Sequence, residues 1–426
     1  MKLNYRQTFL VGLAFMAIST FWQLYDNIIP LMLKNTFGLG DTLAGGIMAL
    51  DNILALFMLP FFGALSDRID TPLGKRMPFI LVGTALTVVA MLFLPLSDNI
   101  GSLPLFMTAL FFTLLAISTY RSPAVALMPD ITPAALRSKA NAVINLMGAL
   151  GVVIALVFIR ILVPEGVKPN YFPIFALVAG VMVVATLVLF ATVKEKKLTA
   201  ELQKLESESN STIDSQEQTV TAMPKAVRRS LILLLMSVFF WYMAYNGVMT
   251  SFSKYAQDVL GLAGGEFANV LLVATVTAVL SFIPVGLFAG NWGRKRTILL
   301  GIVVMFTAFS AAYFFTSYHP LMNILLGLVG FGWAAINVNS YPMVVEMAHG
   351  ASIGKFTGYY YTFSMAGQIV TPVLSGAFLE HVGYWTLFPL AAVLMALAFC
   401  TMLLVKHGDH KPRLPQDKLE MLDVGD

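Results

Sequence analysis

Apolar runs, each followed by a short polar break, recur along the whole chain. A helix needs about 20 apolar residues to cross ~30 Å of hydrocarbon. Six runs of that size lie near residues 8–33, 42–65, 77–96, 102–128, 140–163 and 171–193. Six more follow a polar stretch, near 229–253, 265–290, 297–316, 320–347, 356–379 and 384–405. The pattern predicts an all-α integral membrane protein with twelve transmembrane helices. Lys2 and Arg6 precede the first run as they would a secretory signal. That run is too long for a signal core and has no small-residue cleavage site, so it is read as a membrane helix. The predicted organisation is a six-helix half over 1–193, a cytoplasmic linker over 194–228, a second half over 229–406 and a cytoplasmic tail over 407–426.

The polar breaks show that the halves are copies. Between the second and third runs lies GALSDRIDTPLGKRMPFI, Gly63 to Ile80, with Asp67, Arg68, Asp70, Lys75 and Arg76 packed into one loop. A fainter version, GLFAGNWGRKRTI, runs from Gly286 to Ile298. Gly74 and Gly293 are 219 residues apart, and the same offset carries Lys75 to Arg294, Asn27 to Asn246, Pro123 to Pro342 and Gly148 to Gly367. Five matches at one offset, all at polar or chain-punctuating positions, argue for a tandem repeat.

Composition agrees: 58% hydrophobic, 12% charged and a mean hydropathy of +0.78 exclude an ordinary soluble domain. Cys400 stands alone, which excludes an internal disulfide and a cysteine metal site. No cofactor is expected. The pI near 9.0 does not point to nucleic acid, because the basic residues are scattered through loops beside apolar runs. They are topology signals. Twenty-two Lys and Arg fall on the side of the N-terminus, whereas the other side holds Lys34, Arg160, Lys168 and Lys254. With Arg121 alone deep inside a run and Arg160 at the end of one, the positive-inside rule predicts cytoplasmic termini. The linker KEKKLTAELQKLESESNSTIDSQEQ reads as an amphipathic start followed by disorder. Its sequon, Asn210, Ser211 and Thr212, then faces the cytoplasm and stays unmodified.

Ionisable residues within the runs are few: Asp26, Asp51 and Arg121, with Asp130 and Glu346 at helix ends. A charge at membrane depth costs at least ~2.5 to 3.5 kcal/mol, so each is a candidate site by default. Trp22, Tyr25 and Asp26 share one helical face, an aromatic platform beside a carboxylate suited to a sugar ring. The alternative for Asp26 is a solvated acid paired with Lys34. Asp51 is a candidate proton site, which must load and release near neutral pH, or else a helix–helix hydrogen bond. Arg121 offers a fork of donors to solute or carboxylate; its alternative is a structural partnership with Asp26, Asp51 or Glu346. In the second half Tyr242, Tyr245 and Asn246 form the matching face, joined by Trp333, Asn337 and Gln368. Amides bind hydroxyl-rich solutes without net charge, but they also join membrane helices. All five histidines, His319, His349, His381, His407 and His410, fall in loops or tails, so a coupling proton would ride on a carboxylate.

The repeated six-helix plan with its charged loop resembles the major facilitator superfamily of secondary transporters. Within it, SDRIDTPLGKRMPFI, the segment RSPAVALMPDITPAALRSKAN from Arg121 to Asn141, and GWAAINVNSYPMVVEM resemble the sugar carriers, the glycoside-pentoside-hexuronide and sucrose-proton symporters. The resemblance implies an alternating-access transporter of a sugar or glycoside with a coupling proton, monomeric and multi-pass in the cell membrane. It also implies an inner gating network of Gly63, Asp67, Arg68, Gly74, Lys75, Arg76, Asp130 and Glu346. There are departures. Ala55 and Leu59 stand where melibiose-type symporters carry cation-binding aspartates, Arg121 replaces a third acid, and Val125 stands where plant sucrose symporters have an arginine. A sodium site of that type is therefore not expected. Two rivals remain: a drug-proton antiporter, although MGALGVVIALV lacks that group's Gly-Pro signature, and a membrane receptor, scaffold or lipid-facing enzyme. Against an enzyme, H-E-x-x-H and G-x-x-x-x-G-K-[ST] are absent, and the G-x-S-x-G match GASIG, Gly350 to Gly354, falls in a short break between two apolar runs rather than on the strand-to-helix turn that such a nucleophile needs.

Overall fold

The computed structural model describes residues 3–133, 136–165, 169–209, 224–347 and 353–409. The sequon Asn210, Ser211 and Thr212, together with His349, His410, Lys168 and most of the tail, lies outside the described residues.

With no water in the hydrocarbon to satisfy the backbone, an apolar chain crosses a membrane by closing its hydrogen bonds within helices. The described residues form helices α1 (Tyr5–Asn35), α2 (Asp41–Met48), α3 (Leu50–Arg68), α4 (Met77–Ile100), α5 (Leu103–Asp130), α6 (Arg137–Leu162), α7 (Phe172–Thr192) and α8 (Glu195–Ser209). They continue with α9 (Lys225–Asp258), α10 (Phe267–Trp292), α11 (Arg294–Ala312), α12 (Leu321–Val345), α13 (Ile353–His381) and α14 (Leu387–Leu403). Twelve stretches among them are long and apolar enough to span a membrane, each overlapping a run read from the sequence. The second span, Asp41–Arg68, comprises α2 and α3, and Ala49 between them keeps a right-handed helical backbone and donates its N–H to the Gly45 carbonyl at 2.9 Å. Polar side chains at depth mostly bond back to their own helices. Examples are Thr20 Oγ1 to the Met16 carbonyl at 2.7 Å and Thr87 Oγ1 to Gly83 at 2.7 Å.

The chain divides into two compact units. The first comprises Met1–Tyr25, Asn35–Phe37 and Asp51–Gln216. In it α4 packs against α5 and α7. The second comprises Asp26–Lys34, Gly38–Leu50 and Glu217–Asp426. Here α12 packs on α10 and α11, and α9 on α13 and α14, while α2 packs on α13. The first two spans thus each contribute to both units, with changes at Tyr25/Asp26 and Leu50/Asp51.

The packing explains one pair in the repeat. A Cβ on Gly148 would sit 3.1 Å from Ser19 Oγ, and one on Gly367 would sit 2.9 Å from the Phe239 carbonyl. Both glycines mark the close approach of the fifth helix of a half to its first, where small residues let membrane helices touch.

Candidate functional site

In the first unit, α5 turns Arg121 towards α1. The guanidinium carbon lies 5.2 Å from the centre of the Trp22 ring, within cation–π range. Trp22 meets Phe21 edge-on at 5.2 Å and Tyr25 at 5.4 Å. Tyr25 is 2% exposed and backs Trp22 rather than presenting its own face. The Trp22 Nε1–H is buried and has no hydrogen-bond partner among the described residues. An indole N–H in that condition invites an acceptor. Asp51, at the start of α3, is within electrostatic reach of Arg121 and accepts a 2.8 Å hydrogen bond from Asn52 Nδ2. Trp22, Asp51 and Arg121, far apart in sequence, are thereby one cluster.

In the second unit the rings converge. Tyr245 stacks on Trp333 with centroids 3.8 Å apart and planes 7° from parallel. Tyr242 meets the same indole edge-on at 5.2 Å, and its hydroxyl is 3.4 Å from that of Tyr360, which lies 3.0 Å from Ser340 Oγ. Sequence alone gives no reason to single out Tyr360; its place in YYY, residues 359–361 on α13, carries no charged signal. Asp26 belongs to this unit, within electrostatic reach of Tyr245. Asn246 Nδ2 donates to the Tyr242 carbonyl at 2.9 Å, and Gln368 Nε2 to Ser364 at 3.4 Å. Both amides therefore turn a donor back onto their own helix. Asn337 is half-buried one turn from Trp333, whereas Asn339 is buried and bonds to Ala335.

The loop between α3 and α4 is organised by Arg76, 6% exposed. Its Nε donates to Asp130 Oδ2 at 2.7 Å, and its other nitrogens bond to Asp67 and to Ser66 Oγ. Burial alone would lower its pKa, but the bonds to Asp130 and Asp67 outweigh that and hold it above the ordinary arginine value. A Cβ on Gly63 would sit 2.8 Å from Ser122 Oγ, so the glycine lets α3 approach α5. Arg68 and Lys75 carry exposed side chains outside this network. In the second unit Arg294 pairs with Glu346, as Arg76 pairs with Asp130. By the repeat offset, however, Arg294 matches Lys75, so the pairing role has moved by one residue.

Sequence alone reads a further cluster only as loop charge. Lys254 lies inside α9 and pairs with Asp41 at 2.5 Å, the two residues being 4% and 7% exposed. The Tyr384 hydroxyl donates to Asp41 Oδ2 at 2.6 Å. Lys34 pairs with Asp258 and donates to the Tyr384 hydroxyl at 2.9 Å. Lys34 is thus engaged with Asp258, not Asp26. The rule that intramembrane charges seek partners finds the pair once α9 is drawn long enough to include Lys254. Removing one member of a buried ion pair strands the other at a cost of about 3–5 kcal/mol. Lys254→Ala is therefore expected to lower the melting temperature in detergent markedly, and Asp41→Ala in the same chain to recover part of the loss. Melting curves of the two singles and the double check this.

Among the described residues, twelve helices long and apolar enough to cross a membrane, in two units that each gather aromatic and ionisable side chains, define a polytopic membrane protein. A Major Facilitator Superfamily model matches residues 11–286 and 264–422. The chain belongs to the Major Facilitator Superfamily, a family of transporters rather than enzymes. It is 29% identical over 149 residues to the sucrose transport protein SUC3 of Arabidopsis thaliana, covering 30% of this chain and 25% of that protein. It is 23% identical over 179 residues to the uncharacterized MFS-type transporter C18.02 of Schizosaccharomyces pombe, covering 40% of each. The chain thus spans between a quarter and two-fifths of the length of these relatives. Among solved structures, a mutant of the nucleoside transporter NupG superposes with a TM-score of 0.69 over 94% of this chain and 100% of its own, at 14% identity. A peptide transporter POT in complex with sulfate gives 0.69 over 94% and 93%, also at 14%. At that identity the likeness is one of fold.

Proposed function

We propose that this chain is a secondary transporter that moves a sugar or glycoside across the cell membrane by alternating access, coupled to a proton in symport. It acts as a monomer with both termini in the cytoplasm. The observation that carries the reading is the stacked Tyr245–Trp333 pair with Tyr242 at its edge and Asp26 in reach. Aromatic faces take the apolar face of a sugar ring, and a carboxylate accepts from its hydroxyls. Within the first unit, the Trp22 indole N–H and Arg121 are donors of the kind a hydroxylated solute satisfies. The partial likeness to a plant sucrose transport protein supports the same solute class. The coupling proton is assigned to Asp51 or Asp26, the carboxylates within the spans that lie near these groups.

Counterflow tests the solute class without requiring any gradient. Proteoliposomes preloaded with sucrose, a simple glucoside or a monosaccharide are diluted into trace labelled solute, and transient accumulation is recorded. Accumulation with at least one sugar and none with a lipophilic cation supports the reading; the reverse result marks a drug carrier and overturns it.

A further inference from the structure

Gly74 and Gly293, paired in the repeat, also share a backbone state. Their φ angles are +113° and +98°, in the region that favours glycine. Beside each lies a carboxylate contributed by the residues that follow the last helix of its half. Glu195, the first residue of α8, is 3% exposed. Its oxygens accept the backbone N–H of Lys75 at 2.6 Å, of Arg76 at 2.9 and 3.1 Å, and of Met77 at 2.8 Å. These are donors that a helix start leaves without intrahelical partners. A Cβ on Gly74 would collide with that carboxylate. Lys196 adds bonds to Asp70 at 3.5 Å and to the Thr71 carbonyl at 3.3 Å.

Asp409 does the same more loosely in the second half. It is exposed, accepts the Lys295 N–H at 2.9 Å, and lies 3.3 Å from where a Gly293 Cβ would be. The two acids are 214 residues apart rather than 219, so they are not partners in the sequence repeat. Each half reaches the same arrangement from a different position.

The clamped residues are also the ones that reach across. Arg76, held through its N–H by Glu195, holds Asp67 and Asp130 through its guanidinium; Arg294, next to the clamped Lys295, holds Glu346. We propose that Glu195 and Asp409 are positioning residues that fix the backbone from which Arg76 and Arg294 engage their acids. The Glu195 clamp is the tighter of the two. Because Glu195 begins α8, the linker acts directly on the α3–α4 loop. What the arginine networks do in transport rests on the function proposed above; the clamp itself does not.

Hydrogen exchange on the full-length protein in detergent reads the clamp without any solute. Glu195→Ala is expected to speed exchange over residues 69–77 about ten-fold, equivalent to losing one good hydrogen bond. Glu195→Gln, which keeps an acceptor, falls between. Arg76→Ala speeds the same segment, and the Glu195→Ala/Arg76→Ala double adds little, because the two act in one linkage. Asp409→Ala speeds residues 293–297 and leaves 69–77 unchanged. In uptake, Glu195→Ala lowers the maximal rate about ten-fold with KM within about two-fold, the mark of a conformational step rather than lost binding. Unchanged exchange in Glu195→Ala, or full multiplication of the two single effects in the double variant, overturns the clamp. Altered exchange in Glu195→Ala, when the wild type transports no sugar, leaves the clamp standing and removes the transport reading.

Discussion

Arg121→Gln is expected to abolish solute accumulation, by two routes that can be separated. The guanidinium lies 5.2 Å from the Trp22 ring and within electrostatic reach of Asp51. Charge-assisted hydrogen bonds to a solute contribute about 1.5–3 kcal/mol, so their loss alone lowers transport about ten- to a hundred-fold. The substitution also leaves Asp51 without its neighbouring cation, which destabilises the bundle. The Arg121→Gln/Asp51→Asn double variant removes that imbalance. It is expected to recover the melting temperature in detergent but not counterflow. Arg121→Lys keeps the charge without the planar fork and is expected to restore stability with weaker solute binding. Recovery of counterflow together with stability in the double variant would make Arg121 a structural partner only.

The second large effect separates the two acids. Asp51 lies within electrostatic reach of Arg121 in the first unit, and Asp26 within electrostatic reach of Tyr245 in the second. Asn imitates a carboxylic acid that never releases its proton, so a variant at the coupling position loses uphill transport yet still exchanges solute. Asp51→Asn is expected to behave in that way: no accumulation under a proton gradient, with counterflow near wild type. Asp26→Asn removes an acceptor beside the stacked rings and is expected to lose both. Gradient-driven uptake and counterflow on the same preparations check this. Normal accumulation by both variants would remove proton coupling through these acids.

The spans are legible in the sequence because each depends on a local property, some twenty apolar residues in a row, and the repeat because Gly74/Gly293 and Gly148/Gly367 punctuate it. No pairing can be read in the same way. Arg121 has three candidate acids in the sequence, and it takes the fold to bring Asp51, seventy residues away, within its electrostatic reach. Lys254 and Asp41 look like boundary charges, since neither lies inside an uninterrupted apolar run. Glu195 reads as one more acid in KEKKLTAELQ, and the three backbone N–H groups that satisfy it when buried come from a loop some 120 residues away in sequence. Candidate residues can be picked by type and depth; their partners are set by contacts between segments far apart in sequence, to which hydropathy is blind.

In the proposed function a proton gradient drives sugar uphill through this chain. The most direct test of this is uptake of labelled sucrose, or of whichever sugar shows counterflow, into proteoliposomes of the wild-type protein, with the interior alkaline and again with no pH difference. The account predicts accumulation above the external concentration in the first case and simple equilibration in the second. Equal uptake under both conditions, or none for any sugar, would contradict it.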